Sequence, residues 1–405
     1  MSHLQEVAYQ VTSSPLVLAQ CLLLLLVPLL LLLHYYASRR SRSNRRHGSS
    51  CSDDKQQLPP SPPGLPIIGH LHLIGDLPHV SLRDLSAKHG RDGLVLLHLG
   101  AATTLIVSSP QAAEAIMRTH DHVFASRLVS TVSDDLMYGS SDIAFSPYGE
   151  HWRQARKLVT THLLTVKKVH SYRSARKEEV HLVLAHKEYG MTRDHVKAIL
   201  VDMFGAGTDT SSLVLELAIA ELMRNPQQMA KLQGDIEVAP ACPAPRASPL
   251  HMADCVVDGG YYVPSGTRVI LNAWALGRDP ESWEKPEEFM PERFMDGGSA
   301  AAIDFRGNHF QFLPFGAGRR ICAGINFGMA TVEIMLANLM YCFDWQLPIG
   351  MEKGVDMTEV FGVTVHLKEK LMLVPVPKLR ATSGHSMQAA EETSMNYNLP
   401  RLDRM

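Results

Sequence analysis

The segment that most narrows the possibilities is Pro314-Phe315-Gly316-Ala317-Gly318-Arg319-Arg320-Ile321-Cys322-Ala323-Gly324. It delivers one cysteine to the start of an apolar helical pattern, Ile325 to Leu339. A thiolate there gains from the free backbone N–H groups and the positive end of the helix dipole. Such a thiolate is a metal ligand. Gly316, Gly318 and Gly324 let the backbone wrap closely around something flat and large. Arg320 stands two residues from the sulfur, where it could pair with a carboxylate. A lone cysteine after a glycine-rich turn is by default a small buried hydrophobe.

A thiolate is one of the few protein ligands for haem iron, where its electron push favours O–O cleavage. The run resembles the haem-binding loop of cytochromes P450, Phe-x-x-Gly-x-Arg-x-Cys-x-Gly, with Phe315, Gly318, Arg320, Cys322 and Gly324 at the matching positions. The resemblance implies haem b, with Cys322 as the iron ligand and Arg320 as a propionate donor. Upstream, Ala206-Gly207-Thr208-Asp209-Thr210 matches the family's oxygen-activation motif. That match implies Asp209 and Thr210 as a catalytic proton relay, with Ala206 and Gly207 lying against the haem. Taken alone, Thr210 would be an ordinary mid-helix threonine bonding back to a carbonyl. Trp152 and Arg156, four apart and so on one helix face, match the family's C-helix pair that donates to a propionate. Bidentate arginine–carboxylate contacts suit that role. Pro291-Glu292-Arg293-Phe294 matches the PERF segment, whose arginine normally joins a buried ion-pair triad with the Glu and Arg of an E-x-x-R motif on the K helix.

The chain has 405 residues and a net charge of −2, which gives no footprint for nucleic-acid binding. Six scattered cysteines show neither zinc spacing nor a disulfide framework, so the body belongs in a reducing compartment. Pro15 to Leu33 is apolar apart from Gln20 and Cys21. It is just long enough to cross a bilayer as a helix. Arg39, Arg40, Arg42, Arg45 and Arg46 follow at once and orient that flank to the cytoplasm. A cleaved signal peptide would carry its charges before the apolar run instead. Leu58 to Pro66 reads LPPSPPGLP, a stiff extended spacer. The expected order is therefore a membrane anchor over 1–38, a basic and proline-rich linker over 39–66, a shortened haem domain over 67–376 and a polar tail over 377–405.

Within the body, Leu94–Leu99 and Thr104–Val107 read as a β-hairpin. Gln111 to Thr119 reads as a short helix after Pro110. Ser126 to Tyr148 has no clean period and reads as a long loop. Glu150 to Leu164 and the charged Lys167 to Glu188 read as helices. His195 to Met223 is a long helical run, with a local distortion expected where Gly205 and Gly207 interrupt it. Short strands are expected over Gly259 to Asn272, a proline-punctuated meander over Trp283 to Phe294, a last strong helix over Cys322 to Leu339, and a closing hairpin over Phe361 to Val376. The expected fold class is mainly α with small β-sheets: a P450 fold, incomplete, preceded by a transmembrane helix.

The chain also departs from the family. Only Thr165 to Met191 separates the C-helix from the oxygen-activation helix, where the family places several helices that roof the substrate pocket. Ile236 to Leu250 reads IEVAPACPAPRASPL, with four prolines and no amphipathic period, where the K helix and its E-x-x-R belong. The spacing recurs at Glu150–Arg153 and Glu221–Arg224, in helices that do not correspond. Arg293 thus lacks its acid partner. A buried unpaired cation costs on the order of 3–5 kcal/mol, so Arg293 is expected either to destabilise the meander or to turn to solvent.

Plant A-type P450s, similar to grass indole or benzoxazinoid monooxygenases, give the nearest resemblance, through His70-Leu71-His72, Trp152 to Lys157 and Phe361-Gly362. It implies hydroxylation of a small hydrophobic or aromatic secondary metabolite. O2 and electrons from NADPH would arrive through NADPH–cytochrome P450 reductase. The protein would sit single-pass in the endoplasmic reticulum membrane, anchored in lipid, with its catalytic domain in the cytoplasm. The alternative is a haem-deficient truncated isoform without turnover. A P450-fold isomerase is disfavoured because it needs no oxygen relay.

Overall fold

The computed structural model describes residues 57–165, 190–235, 249–250, 253–350, 354–362 and 364–378, together with Leu23, Leu26 and Pro28, which are helical. Most of the anchor and basic linker, the charged Lys167–Glu188 stretch, most of the Ile236–Leu250 segment and the polar tail lie outside them.

The described chain is mainly helical, with small sheets. After α1 (Pro78–His89) come β1 (Leu94–Leu99) and β2 (Ala102–Val107). They pair antiparallel around Gly100 and Ala101, with Gly100 at positive φ. Alternate residues serve two cores. Leu94, Leu96, Leu105 and Val107 join one cluster, whereas Val95, Leu97 and Ile106 pack on Leu82 and Leu85 of α1. The strict period of two follows from the pleat.

α2 (Pro110–Glu114) starts on a Ser109 cap and passes into a wider π turn over Ala115–Thr119. Ser126 to Tyr148, expected as one long loop, instead holds β3 (Ser126–Arg127) and α3 (Thr131–Leu136). A reciprocal Ser130–Ser133 capping box nucleates the latter. α4 (Glu150–Leu158) also ends in a π turn, Val159–Leu163.

α5 (Arg193–Arg224) begins on a Thr192–His195 capping box and continues without a break through Gly205 and Gly207, where the sequence predicts a distortion. The i→i+4 ladder survives because each glycine's cost is about 1 kcal/mol, small beside the packing of the flanking turns. α6 (Pro226–Asp235) follows directly.

The main sheet has the order β1-β2-β7-β4-β3, where β4 is Pro249–Leu250 and β7 is Arg268–Leu271. β2 and β7 are parallel; the other pairings are antiparallel. A separate hairpin joins β5 (Cys255–Val257) to β6 (Tyr261–Val263), and α7 (Ala273–Leu276) follows β7. The meander leads into the cysteine loop and α8 (Ile325–Cys342). β8 (Phe343–Gln346) comes next.

The closing segment also differs from expectation. β9 (Glu359–Val360) pairs with β10 (His366–Leu367), but β11 (Val374–Pro377) crosses back to β8. The proline-rich run is seated on the body: Leu96 N–H donates to the Pro60 carbonyl, and His70 donates from Nε2 to the Pro62 carbonyl while accepting His98 N–H at Nδ1.

Candidate functional site

The cysteine loop is held by backbone geometry. Cys322 N–H donates to the Phe315 carbonyl at 2.9 Å, closing a tight turn around Gly316 (φ 75°) and Gly318 (φ 62°). Gly318 is obligatory for a second reason: a Cβ there would lie 2.2 Å from the Met117 carbonyl oxygen. The loop is thus pressed on the turn after α2, and Arg319 pairs with Asp121 across the same contact. Gly324 precedes the first turn of α8, and the Cys322 side chain is exposed beside it.

Next to the cysteine loop the chain gathers three arginines around Trp152 and the 142–146 segment. Trp152, only 3% exposed, anchors α4 by donating from Nε1 to the Ile143 carbonyl at 3.0 Å. The Arg320 guanidinium lies 4.1 Å from the centre of its ring and that of Arg156 5.4 Å. Arg156 donates to the Ile321 carbonyl at 2.6 Å, next to the cysteine. Arg320 donates to the carbonyls of Ala125, Ile143 and Ser146. Arg127 reaches the Ala144 carbonyl.

The electrostatic cost is legible in all three. Burial pulls the Arg320 guanidinium down to about 9, and the positive charges of Arg127 and Arg156 add to the effect. Burial alone pulls Arg127 down to about 10. Burial also lowers Arg156, with Cys322 acting against it. These guanidinium groups hydrogen-bond backbone carbonyls, and the Asp142 charge acting on Arg320 offsets only part of the burial and mutual repulsion. The donor set of a thiol and three guanidinium groups therefore fits a metal complex that carries its own carboxylates, as haem does. Arg127 was not expected from the sequence. A single arginine after Phe-Ala-Ser carries no local signal, and only the fold brings it to Arg320.

The α5 residues lie apart from this cluster in their bonding. A Cβ built on Gly205 or Gly207 meets nothing within 4 Å, so the helix face there opens on free space. Ala206 and Phe204 are exposed on the same stretch, Phe204 by 74%. The Thr210 hydroxyl bonds back to the Ala206 carbonyl, the ordinary mid-helix arrangement. Asp209 accepts from the Thr364 hydroxyl at 3.0 Å, which ties α5 to the turn between β9 and β10.

Behind the loop, Arg293 corrects one expectation. It is neither solvent-facing nor unbonded. Its guanidinium donates to the carbonyls of Met290, Glu284, Lys285 and Glu288, and it lies 5.9 Å from the Trp283 ring centre. The meander has closed on it. Its neighbour Glu292 accepts from Gln228 at 2.6 Å and faces Lys231, so α6 docks on the meander. The two stray E-x-x-R spacings are ion pairs within their own helices.

Comparison with known proteins agrees with this architecture. The cytochrome P450 family model matches residues 59–188, 181–241 and 243–374. Indole-2-monooxygenase of Zea mays is 40% identical over an alignment covering 78% of this chain and 87% of that protein. Indolin-2-one monooxygenase of Zea mays is 39% identical, covering 78% and 89%. A solved zebrafish cytochrome P450 with abiraterone superposes with a TM-score of 0.61 at 21% identity, over 76% of this chain and 100% of that one. The chain belongs to the cytochrome P450 family, as a monooxygenase of the plant A type, and the family implies a haem cofactor, a small-molecule substrate and a redox partner. The alignment to the first of these relatives runs over 468 residues, more than the 405 of the chain, so that relative carries segments this chain lacks. The family match is divided near 181–188 and at 241–243, where the sequence departs from the pattern.

Proposed function

We propose that this chain is a haem-thiolate monooxygenase acting on a small aromatic or hydrophobic plant metabolite, with Cys322 as the iron ligand. The observation that carries the reading is the exposed Cys322 thiol at the edge of a cluster of three arginines whose guanidinium groups hydrogen-bond backbone carbonyls. When bound, haem supplies O2 activation and oxygen insertion. The protein's part is positioning. Arg127, Arg156 and Arg320 would hold the propionates, and the Trp152 ring would keep Arg156 and Arg320 in place. Phe315, Gly318 and Gly324 would shape the loop that presents Cys322. Ala206 and Gly207 would leave the α5 face open to the cofactor. Asp209 and Thr210 pass protons from solvent, which requires Thr210 to exchange its Ala206 bond for one facing the cleft. The indole-type substrates in the names of the maize relatives support an aromatic substrate.

The remaining roles rest on family likeness. Electrons come from NADPH through NADPH–cytochrome P450 reductase. The apolar N-terminal run anchors the protein in endoplasmic reticulum lipid, and the catalytic body faces the cytoplasm. A second reading is favoured by two observations. The maize alignment outruns the chain, and Arg293 bonds carbonyls where the family has an acid. On that reading the chain is a shortened isoform that holds haem weakly. The reduced, carbon-monoxide-bound difference spectrum of the expressed chain in membranes decides. A Soret band at the thiolate-ligated position supports the enzyme. No band, or one at the position of the inactive form, supports the shortened isoform. Cys322→Ser should abolish the thiolate-type band.

A further inference from the structure

Two carboxyl groups that the proposed chemistry does not use face each other where α5 meets the segment before α4. Asp142 is fully buried. Its Oδ2 accepts from Phe145 N–H at 2.8 Å, while its Oδ1 has no donor among the described residues. Asp202, on α5, accepts with one oxygen from both Ile143 N–H at 2.7 Å and Ala144 N–H at 3.0 Å. Because the Ile143 amide that Asp202 accepts directly follows Asp142, the two carboxyl groups are neighbours, and the Asp142 charge acts on Asp202. Two ionised carboxylates cannot satisfy each other, because each only accepts. A single proton between them would supply the donor that Asp142 Oδ1 lacks and remove the repulsion.

We propose that Asp142 and Asp202 hold one proton between them, and that this proton clasps the 142–146 segment to α5. The same segment serves the cysteine loop from its other side. The Ile143 peptide gives its N–H to Asp202 and its carbonyl to Trp152 and Arg320. Ser146 gives its carbonyl to Arg320 as well. Loss of the proton to solvent leaves two adjacent buried charges, drives the segment off α5 and loosens the carbonyls that hold Arg320. Asp202 is thereby a positioning residue for the arginine cluster. Burial and the Asp142 charge push the Asp202 carboxyl up to about 7, so the clasp operates near neutrality.

Other charged groups stand close. Arg320 feels the Asp142 charge, but it, Arg127 and Arg156 hydrogen-bond carbonyls rather than either carboxyl. Tyr148 lies on the Trp152 ring. His151 bonds the Ser141 carbonyl and packs at a tilt against His195 of α5, with ring centres 4.3 Å apart. The histidines are the rival source of any pH effect here, and the test separates them.

The experiment is hydrogen–deuterium exchange of the peptide covering 139–149 in the full chain, at about pH 6 and about pH 8, corrected for intrinsic exchange. Protection should fall at least about threefold at the higher pH as the clasp opens. Asp202→Asn keeps an acceptor for both amides and offers Asp142 an N–H, so it should be protected equally at both values. Asp142→Asn should flatten the profile in the same way. His151→Gln should leave the slope intact. A flat wild-type profile overturns the proposal whatever the variants do. So does a slope that survives in Asp202→Asn, or one that vanishes in His151→Gln. Loss of protection at both pH values in the two Asn variants overturns it too, since neutral isosteres should hold the segment.

Discussion

Gly318 shows how much one position can settle. Its φ of 62° and the Met117 carbonyl 2.2 Å from any added Cβ leave no room for a side chain. Gly318→Ala should cost at least about 1–3 kcal/mol, read as a lowered Tm, with a matching loss of haem on purification. This residue was legible in the sequence, because a glycine at fixed distance before a cysteine carries a steric message. Arg293 was legible only in part. Its place in the meander could be read, but its partners could not, because backbone carbonyls three to nine residues away leave no mark on composition. Arg293→Ala should strand those carbonyls and destabilise by about 2 kcal/mol or more. Arg293→Lys should recover only part of it, since an ammonium cannot reach all four. Thermal melts of both variants measure the difference.

At the level of elements, the sequence patterns located α5, α8 and the β1–β2 hairpin well. They failed where tertiary contact overrides local preference. The predicted distortion in α5 is absent because its flanking turns pack on two separate cores, one with Leu158 and Ile199, the other with Ile219 and Leu336. The strand β3 was missed because two residues have no detectable period. Because Thr210 bonds its own helix, Thr210→Ala should change stability by less than about 1 kcal/mol. If the relay role holds, the same variant should form hydrogen peroxide in place of product, measured as product per NADPH consumed.

The junction of α5 with the 142–146 segment has its own pH signature. Asp202 binds its proton more tightly folded than unfolded, because burial and Asp142 raise it from the ordinary carboxylate range to about 7. That contribution to stability is fully present below the unfolded value, and is lost as pH rises through the folded one. The Tm of the wild type should therefore fall relative to Asp202→Asn between about pH 4 and about pH 8.

For the molecule as a whole, the decisive fact is that a family fold persists in a chain shorter than its maize relatives. The meander finds substitutes. Four carbonyls stand in for an acid at Arg293, and Gln228 and Lys231 hold Glu292. These substitutes are weaker than a desolvated ion-pair triad, because a neutral acceptor does not cancel a buried charge. Replacing 236–248 with the corresponding segment of a maize relative, E-x-x-R included, should therefore raise haem occupancy several-fold. The absorbance of the thiolate-type band per milligram of protein gives the measure. An unchanged band would mean that the meander is already sufficient.

The arginine cluster has a bearing on the protein's life before it meets its cofactor. Arg127, Arg156 and Arg320 crowd one another in a setting poor in water. The folded chain therefore keeps an excess of positive charge beside the Cys322 loop until something anionic arrives. A cofactor bearing two carboxylates would relieve that crowding on binding, so loading would itself stabilise the fold. The share of chains that survive in a cell would then follow cofactor supply as well as synthesis.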